Sequence, residues 1–497
     1  MGEKRARKAS KIIIILLIFV IIAVGAFFAV QFFTKTGIFR IPGVVYYGDS
    51  LTSAETGIFE GIFDEKIDLD KDVTISGKWA LEKPTTSRGE YLYEVLVPVT
   101  DFYSTETNVD VNNVTELLDE SFKTANNFEL IPVSELDFSK KLLSLNGKYY
   151  LDNFDSGAVY RTIDFDSEKF EEEIEPLIVD VFKKEFPSKE STLTFAQTGV
   201  TALSRRMNSR LNAVGGDAAY FSAEIGPFLS GFDITHTSNE SSFSSYASNA
   251  NICSDKRFVD TLTGIGLDVV ELTGNHNQDC GDQAAIDTID IYNEKGIKIV
   301  GGGKTAAEAA VPLEIDQKGT GITMLAFNQS TGGATLDNTP GANQYYENTA
   351  ASQIKEAKDR GDLVIVDIQY YECNAYASTY EDPICDRANS SAGDQVGFFR
   401  HLIDLGADVV VGTSAHQAQT FELYGNGAIY YGLGNLFFDQ TDWPGTTRSL
   451  VLSHYFHNGK LLQTKLVGTI YGQDMQTKLL DADTMKWWLE RLVKVKP

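Results

Sequence analysis

Positive charge is scarce in this chain: 43 Lys and Arg stand against 69 Asp and Glu in 497 residues, a net charge of −26. Nucleic acid is thereby excluded as a partner, because gripping a phosphate backbone takes a basic surface that releases counterions. The basic charge is also unevenly placed. Lys4, Arg5, Arg7, Lys8 and Lys11 face only Glu3 at the N-terminus, so residues 1–11 carry +4 and the remainder −30. Cysteine is scarce as well, with Cys253, Cys280, Cys373 and Cys385 all in the second half. No disulfide can therefore staple anything before Cys253. Four cysteines allow three pairings, and nearness along the chain favours Cys253 with Cys280 and Cys373 with Cys385.

A long apolar run occurs at Ile12 to Phe33, IIIILLIFVIIAVGAFFAVQFF. About 20 apolar residues let a helix cross the hydrocarbon core. The run lacks the small-residue cleavage pattern of a secretory signal, so an uncleaved anchor is expected over 12–33. The basic tail 1–11 stays in the cytoplasm by the positive-inside bias, which places the bulk of the chain outside a cell membrane that it crosses once. The part beyond the anchor exceeds what one core supports, and two domains are expected.

Residues 45–188 read as an α/β domain of unknown role, with strand-like YLYEVLVPV from Tyr91 to Val99 and an amphipathic helix over Glu168 to Phe186. No motif with chemistry lies in it. FPSKEST, Phe186 to Thr192, has the composition of a linker. Residues 192–475 form the second domain, followed by a helical segment over 476–497. Strands are expected from Leu193, over Leu267 to Gly274, at KIVGGG, at DLVIVDIQYYE and at DVVVGTSAH. Helices are expected in the stretch to Leu229, through AAIDTIDIYNEKGI and from Ala392 to Leu405. Gly425-Asn426-Gly427 between alternating runs signals a hairpin. The fold class is α/β, a layered mixed β-sheet flanked by helices.

In such sheets, sites gather beyond the carboxyl ends of strands. GNHNQDCG there supplies Asn275, His276 and Asp279, TSAHQAQ supplies His416 and Gln419, and ITHTSNESSF supplies His236, Asn239 and Glu240. Asn oxygen and imidazole nitrogen both suit a divalent metal. Gly301 to Gly303 lack the Lys-Ser/Thr of a phosphate-binding loop and read as a tight turn.

The blocks VVELTGNHNQDCGDQAAIDTIDIYNEKGIKIVGGGKTAAEAAVP and FFRHLIDLGADVVVGTSAHQAQTFELYGNGAIYYGLGNLFFDQ resemble the CapA capsule-synthesis (poly-γ-glutamate biosynthesis) family. The resemblance implies a fold of the calcineurin-like metallophosphoesterase type. It assigns Asn275 and His276 to the family's Asn-His pair, Asp279 and Gly281 to its companions, Glu240 to its Asn-x-Glu motif, and His416 and Gln419 to its Gly-x-His-Pro-His region. Catalytic roles are thereby expected for His276, Glu240, His416 and Asp279, and substrate contacts for Asn239, Gln419, Glu372 and Asn435. Metal ligation is expected of Glu240, Asn275, His276 and His416.

The chain departs from that pattern where a metal centre is most demanding. Val200 stands at the family's Asp, Ser238 at the Asn of Asn-x-Glu, Ser414 at the first His of His-Pro-His, and Ile368 or Gln369 at a further His. Two dications need a bridging carboxylate, and valine cannot bridge. One divalent ion at most (Mn, Zn or Mg), or none, is then expected. The resemblance points to a membrane-anchored protein acting on a polyanionic or peptidic cell-surface polymer, either by metal-assisted hydrolysis or transfer or as a binding module without catalysis.

Overall fold

The structure is a computed structural model that describes residues 45–63, 73–167, 170, 174–329, 332–335, 338–370 and 394–494. The apolar run Ile12 to Phe33, Glu372, Cys373 and Cys385 lie outside the described residues. Among those described, no helix is long and apolar enough to cross a membrane. The chain forms two compact units: the first takes its described residues from up to Pro98, from Asn108–Glu135 and from Ser144–Phe186. The second takes Val99–Thr107, Leu136–Leu143 and the chain from Pro187 onward.

In the first unit, β1 (Val45–Tyr47), β2 (Val73–Glu82), β3 (Glu90–Asp101), β4 (Glu129–Pro132) and β5 (Ser156–Asp166) form a sheet ordered β1-β2-β5-β3-β4. Its helix α1 (Ser53–Ile62) starts at a capping box in which Thr52 and Glu55 satisfy each other's backbone N–H groups. Glu55 also holds Arg161 by two bonds of 2.8 and 2.7 Å, both side chains being buried. Of the helix expected over Glu168 to Phe186, the described residues are helical at Phe170 and from Ile174 to Ile178, and the helix does not run on to Phe186. Only Glu175–Ile178 is α-helical, with Pro176 in its first turn. Proline has no N–H to donate, and here it stands in the first turn of the α segment, where that donor has no intrahelical partner. Ile178 still enters the core, with Leu177, Val181 and Phe182 packed at its edge.

The second unit opens with β6 (Thr192–Ala202), then α2 (Arg206–Ala213), β7 (Ile234–Asn239), β8 (Val269–Glu271), α3 (Asp282–Glu294) and β9 (Lys298–Val300). Strands β6 to β9 lie parallel in chain order. The next stretch builds another sheet from β10 (Leu313–Gln317), β11 (Thr320–Gln329), α4 (Glu347–Arg360), β12 (Leu363–Tyr370), α5 (Gln395–Asp404), β13 (Val409–Gly412), β14 (Phe421–Tyr424) and β15 (Gly427–Tyr430). Its order is β10-β11-β12-β13-β15-β14. The chain then returns to the first of these sheets with β16 (Asn435–Phe438), β17 (Arg448–His457), β18 (Lys460–Tyr471) and β19 (Thr477–Leu479), and ends in α6 (Ala482–Leu492). That sheet reads β9-β8-β7-β6-β17-β18-β19, with β16 also beside β6.

One core fills the space between these two sheets, with Phe195, Ile234 and Val269 meeting Met324, Ile365 and Val409. A second lies beneath α2 and α3, and a third beneath α4 and α5. Helix, sheet, sheet and helix thus form four layers, the layered mixed sheet with helical flanks that the alternation implied. In α4, Ala350, Ile354 and Ala357 recur at helical spacing to make the buried stripe, and Gly361 ends the helix at φ +90°. In α3 the buried set is Ala284, Ala285, Thr288, Ile289 and Tyr292, so that of its isoleucines Ile286, Ile289 and Ile291 only Ile289 is buried. The stretch to Leu229 is not one helix either. After α2 the chain turns through Gly215 and Gly216, both at positive φ, into a 3₁₀ turn at Ala218–Ser222 and a single α-turn at Gly226–Leu229. The expected strand at KIVGGG ends at Val300, and Gly301 turns at φ +73°.

Candidate functional site

Three loops meet beyond the carboxyl ends of β7, β8 and β13. Glu240 follows β7 directly, is 1% exposed, and its N–H donates to the Thr201 carbonyl of β6 at 2.9 Å. The loop after β8 passes close by because residue 274 is glycine: a Cβ there would stand 2.8 Å from Glu240 Cα and 2.9 Å from its Cγ. Asn275 and His276 are thereby placed beside Glu240. The loop after β13 carries His416, whose Nε2 lies 3.9 Å from Glu240 Oε2.

The two imidazoles are oriented differently. His416 is buried, and its Nδ1 bonds Asn435 Oδ1 at 2.8 Å. Asn435 uses its amide N–H groups on Gln440 Oε1 and the Thr446 carbonyl, so its oxygen is the acceptor and the His416 proton sits on Nδ1. Burial pushes the His416 pKa down to about 4, with the nearby His276 and Arg205 adding to the fall. The ring is neutral at pH 7. His276 is partly open to solvent, with Nδ1 2.8 Å from Asp279 Oδ2. Asp279 thus orients His276 and aims Nε2 away from itself.

Where the family pattern calls for further metal ligands, the chain has built other contacts. Val200 is buried with Ala202 and Phe438 in a small apolar cluster that Ile252 borders. Gln369 donates to Asn275 Oδ1 at 3.0 Å, and Ser414 donates to the Tyr370 carbonyl at 3.0 Å. A two-ion centre does not fit this donor set, because its bridging position is an apolar patch. Among the described residues no three His, Cys, Asp or Glu side chains group as metal ligands.

Other expected site residues have different duties. Asn239 is buried and braces its own loop, donating to the Ser241 carbonyl and the Tyr292 hydroxyl. Gln419 is buried and accepts from Gln395 Nε2 at 3.2 Å, which makes it part of the packing under the loop. Asn435 orients His416. His236 lies mid-strand in β7, buried between the sheets, with Nε2 3.1 Å from Asp367 Oδ2. Cys253 and Cys280 are joined in a disulfide that ties the chain beyond Glu240 to the His276 loop. No motif in the sequence signals Asp367, which lies inside an apolar strand, or Arg205, which lies beyond the end of β6.

With this geometry in view, the comparison with known proteins is specific. The family described as "Bacterial capsule synthesis protein PGA_cap" matches residues 194–440. Over that segment the chain belongs to this family. The "Capsule biosynthesis protein CapA" of Bacillus anthracis is 26% identical over 282 residues, covering 54% of this chain and 65% of the relative. The "PGA biosynthesis protein CapA" of Bacillus subtilis (strain 168) is 31% identical over 210 residues, 41% of this chain and 51% of the relative. A "Probable polyglutamine synthesis accessory protein" of Mycobacterium tuberculosis is 28% identical over 192 residues, 36% of this chain and 47% of the relative. The chain thus spans from about half to just under two thirds of these curated relatives. Among solved structures, the crystal structure of the Thermus thermophilus protein TT1561 aligns at 10% identity and a TM-score of 0.30, over 54% of this chain and 99% of that one.

Proposed function

We propose that this member of the PGA_cap family works in the biosynthesis or processing of an anionic cell-surface polymer of the poly-γ-glutamate kind, anchored to the membrane by residues 12–33. The polymer engages the site at Glu240, His276 and His416. What supports this reading is the meeting of three strand-end loops around the buried Glu240 carboxylate, 3.9 Å from His416, together with the functions named for the capsule and poly-γ-glutamate relatives.

The chemistry open to this arrangement is proton transfer rather than two-metal hydrolysis. Asp279 holds the Nδ1 edge of His276, which assigns proton transfer to Nε2, the arrangement of an oriented general base. Glu240 and the neutral His416 form the buried wall behind it. A second reading, a single divalent ion at this wall, is favoured by one feature: each imidazole has its Nδ1 engaged by an oxygen acceptor, the pattern that orients Nε2 of a metal-bound histidine.

The test is binding of poly-γ-glutamate oligomers to the purified full chain in detergent, read by fluorescence anisotropy, with elemental analysis on the same sample. His276→Ala should weaken binding or turnover while shifting the melting midpoint little, since its ring is partly exposed. One equivalent of tightly bound metal would favour the second reading, and two equivalents would overturn the assignment of Val200. Loss of folding in His276→Ala would make the residue structural and overturn the proposal.

A further inference from the structure

A cation that the acid-base reading leaves unused stands beside this wall. Arg205 sits between the end of β6 and the start of α2, with its backbone at φ +55° and ψ −130°. A non-glycine residue in that region is strained and persists only where its surroundings hold it, which happens most often at functional sites. Its guanidinium carbon lies 5.0 Å from the Phe438 ring centroid. The His416 ring packs against the same Phe438, centroid to centroid at 5.0 Å. Phe438 is thus a plate with the arginine and the site imidazole both against it, and Val200 and Ala202 back it.

Among the described residues the charge on Arg205 has no carboxylate partner. The neighbouring Arg206 bonds Asp439 and reaches Asp442, yet among the described residues no carboxylate pairs with Arg205, in a chain whose net charge is −26. Acidic side chains are abundant, so an unpaired arginine next to a site is unusual on composition alone. It is also partly exposed. A guanidinium held against an aromatic ring is fixed in orientation, and its N–H donors lie in its own plane, where they match the two oxygens of a carboxylate. One cation in front of a neutral imidazole and a glutamate suits a singly charged group better than a dianion.

We propose that Arg205, seated on Phe438, is the carboxylate-recognition residue of this site and binds the side-chain carboxylates of an acidic peptidic polymer. The assignment deepens the proposed function and rests on its reading of the site as polymer-binding.

The experiment measures binding of poly-γ-glutamate oligomers, their methyl esters and inorganic polyphosphate to the purified full chain, at low and moderate salt. Arg205→Gln should weaken poly-γ-glutamate binding about tenfold or more and flatten its salt dependence, with the melting midpoint retained. Arg205→Lys should recover only part of the affinity, since it keeps the charge and loses the fork. The methyl esters should bind wild type as weakly as the polymer binds Arg205→Gln. Should Arg205→Gln unfold the protein, Phe438→Leu, which keeps an apolar residue against Val200 and Ala202, serves instead and should lose several-fold. Wild-type affinity in Arg205→Gln or in Phe438→Leu overturns the assignment while leaving the site reading intact. Equal wild-type binding of ester and acid, or tighter binding of polyphosphate that Arg205→Gln abolishes, overturns the carboxylate specificity. Absence of any polymer binding by wild type overturns the site reading itself.

Discussion

Acidification from pH 7 to pH 5 should destabilise the second unit chiefly through two buried imidazoles, His416 and His454. His454 lies on β17 between the sheets, with Nε2 3.1 Å from Gln197 Oε1 and Nδ1 2.9 Å from Thr464 Oγ1. A neutral ring satisfies both contacts, donating to the glutamine oxygen and accepting the threonine hydroxyl. Burial pushes the His454 pKa down to about 3, with the neighbouring His236 adding to the fall; His416 lies at about 4. Both folded values are below the unfolded value of about 6.5. The unfolded chain therefore binds more protons, so this contribution is complete above pH 6.5 and is lost as pH falls toward 4 and 3. Linkage gives a loss of about 2 kcal/mol for each ring between pH 7 and pH 5, large against a total stability of about 5–15 kcal/mol. Glu271 works the other way: burial, and then the charge of Asp367, raise its pKa, so protonating it favours the fold as pH falls. The imidazole part is isolated by His454→Gln, whose amide can still donate to Gln197 and accept from Thr464. Urea unfolding of both proteins at pH 7, 6 and 5, followed by tryptophan fluorescence, should show a loss smaller by about 2 kcal/mol in the variant. Equal losses in both would refute the claim that His454 stays neutral in the fold.

Gly274→Ala should cost about 1–3 kcal/mol and weaken polymer binding, because its methyl would stand 2.8 Å from Glu240 Cα; calorimetry together with the binding assay checks both. Reducing the Cys253–Cys280 bridge, which closes a separation of 27 residues, should cost up to about 3.5 kcal/mol on the chain-entropy account, visible as a lower urea midpoint. Val200→Asp should destabilise by about 2–4 kcal/mol by burying a carboxylate against Ala202 and Phe438. Added Mn²⁺ should not restore it, since Gln369 and Ser414 supply no imidazole; full rescue would show that a two-ion site needs only that one residue. In the first unit, Glu55→Gln should cost about 3–5 kcal/mol by leaving the buried Arg161 without its carboxylate, read by thermal melting.

The candidate site was legible where chemistry depends on local order. Glu240, His276 and His416 each close a strand end, and a strand end projects its next residues past the sheet whatever the distant contacts are. The histidine at position 236 misled, because two residues decide whether a side chain ends a strand or lies within it, and β7 runs on to Asn239. Asn239 and Gln419 read as substrate contacts in sequence; in the fold their amides also meet backbone and neighbouring side chains inside a packed loop, which residue type alone does not encode. In the amphipathic stretch Glu168 to Phe186, Ile178 is buried and Leu177, Val181 and Phe182 are half-buried against the same core, yet the α-helix stops at Ile178, which periodicity alone did not indicate.

By itself the sequence determined the alternation of strands and helices, the hairpin at Gly425 to Gly427, the family over 194–440 and the valine at position 200, since these depend on residue type and spacing alone. Only the tertiary structure decided that β16 and β17 return to flank β6, and that Phe438 consequently stands between Arg205 and His416. Those residues are more than two hundred positions apart or on separate strands, and no local propensity encodes a meeting that depends on which strands pair. The burial of His236 beside Asp367 was decided in the same way, when the two sheets of the unit closed face to face.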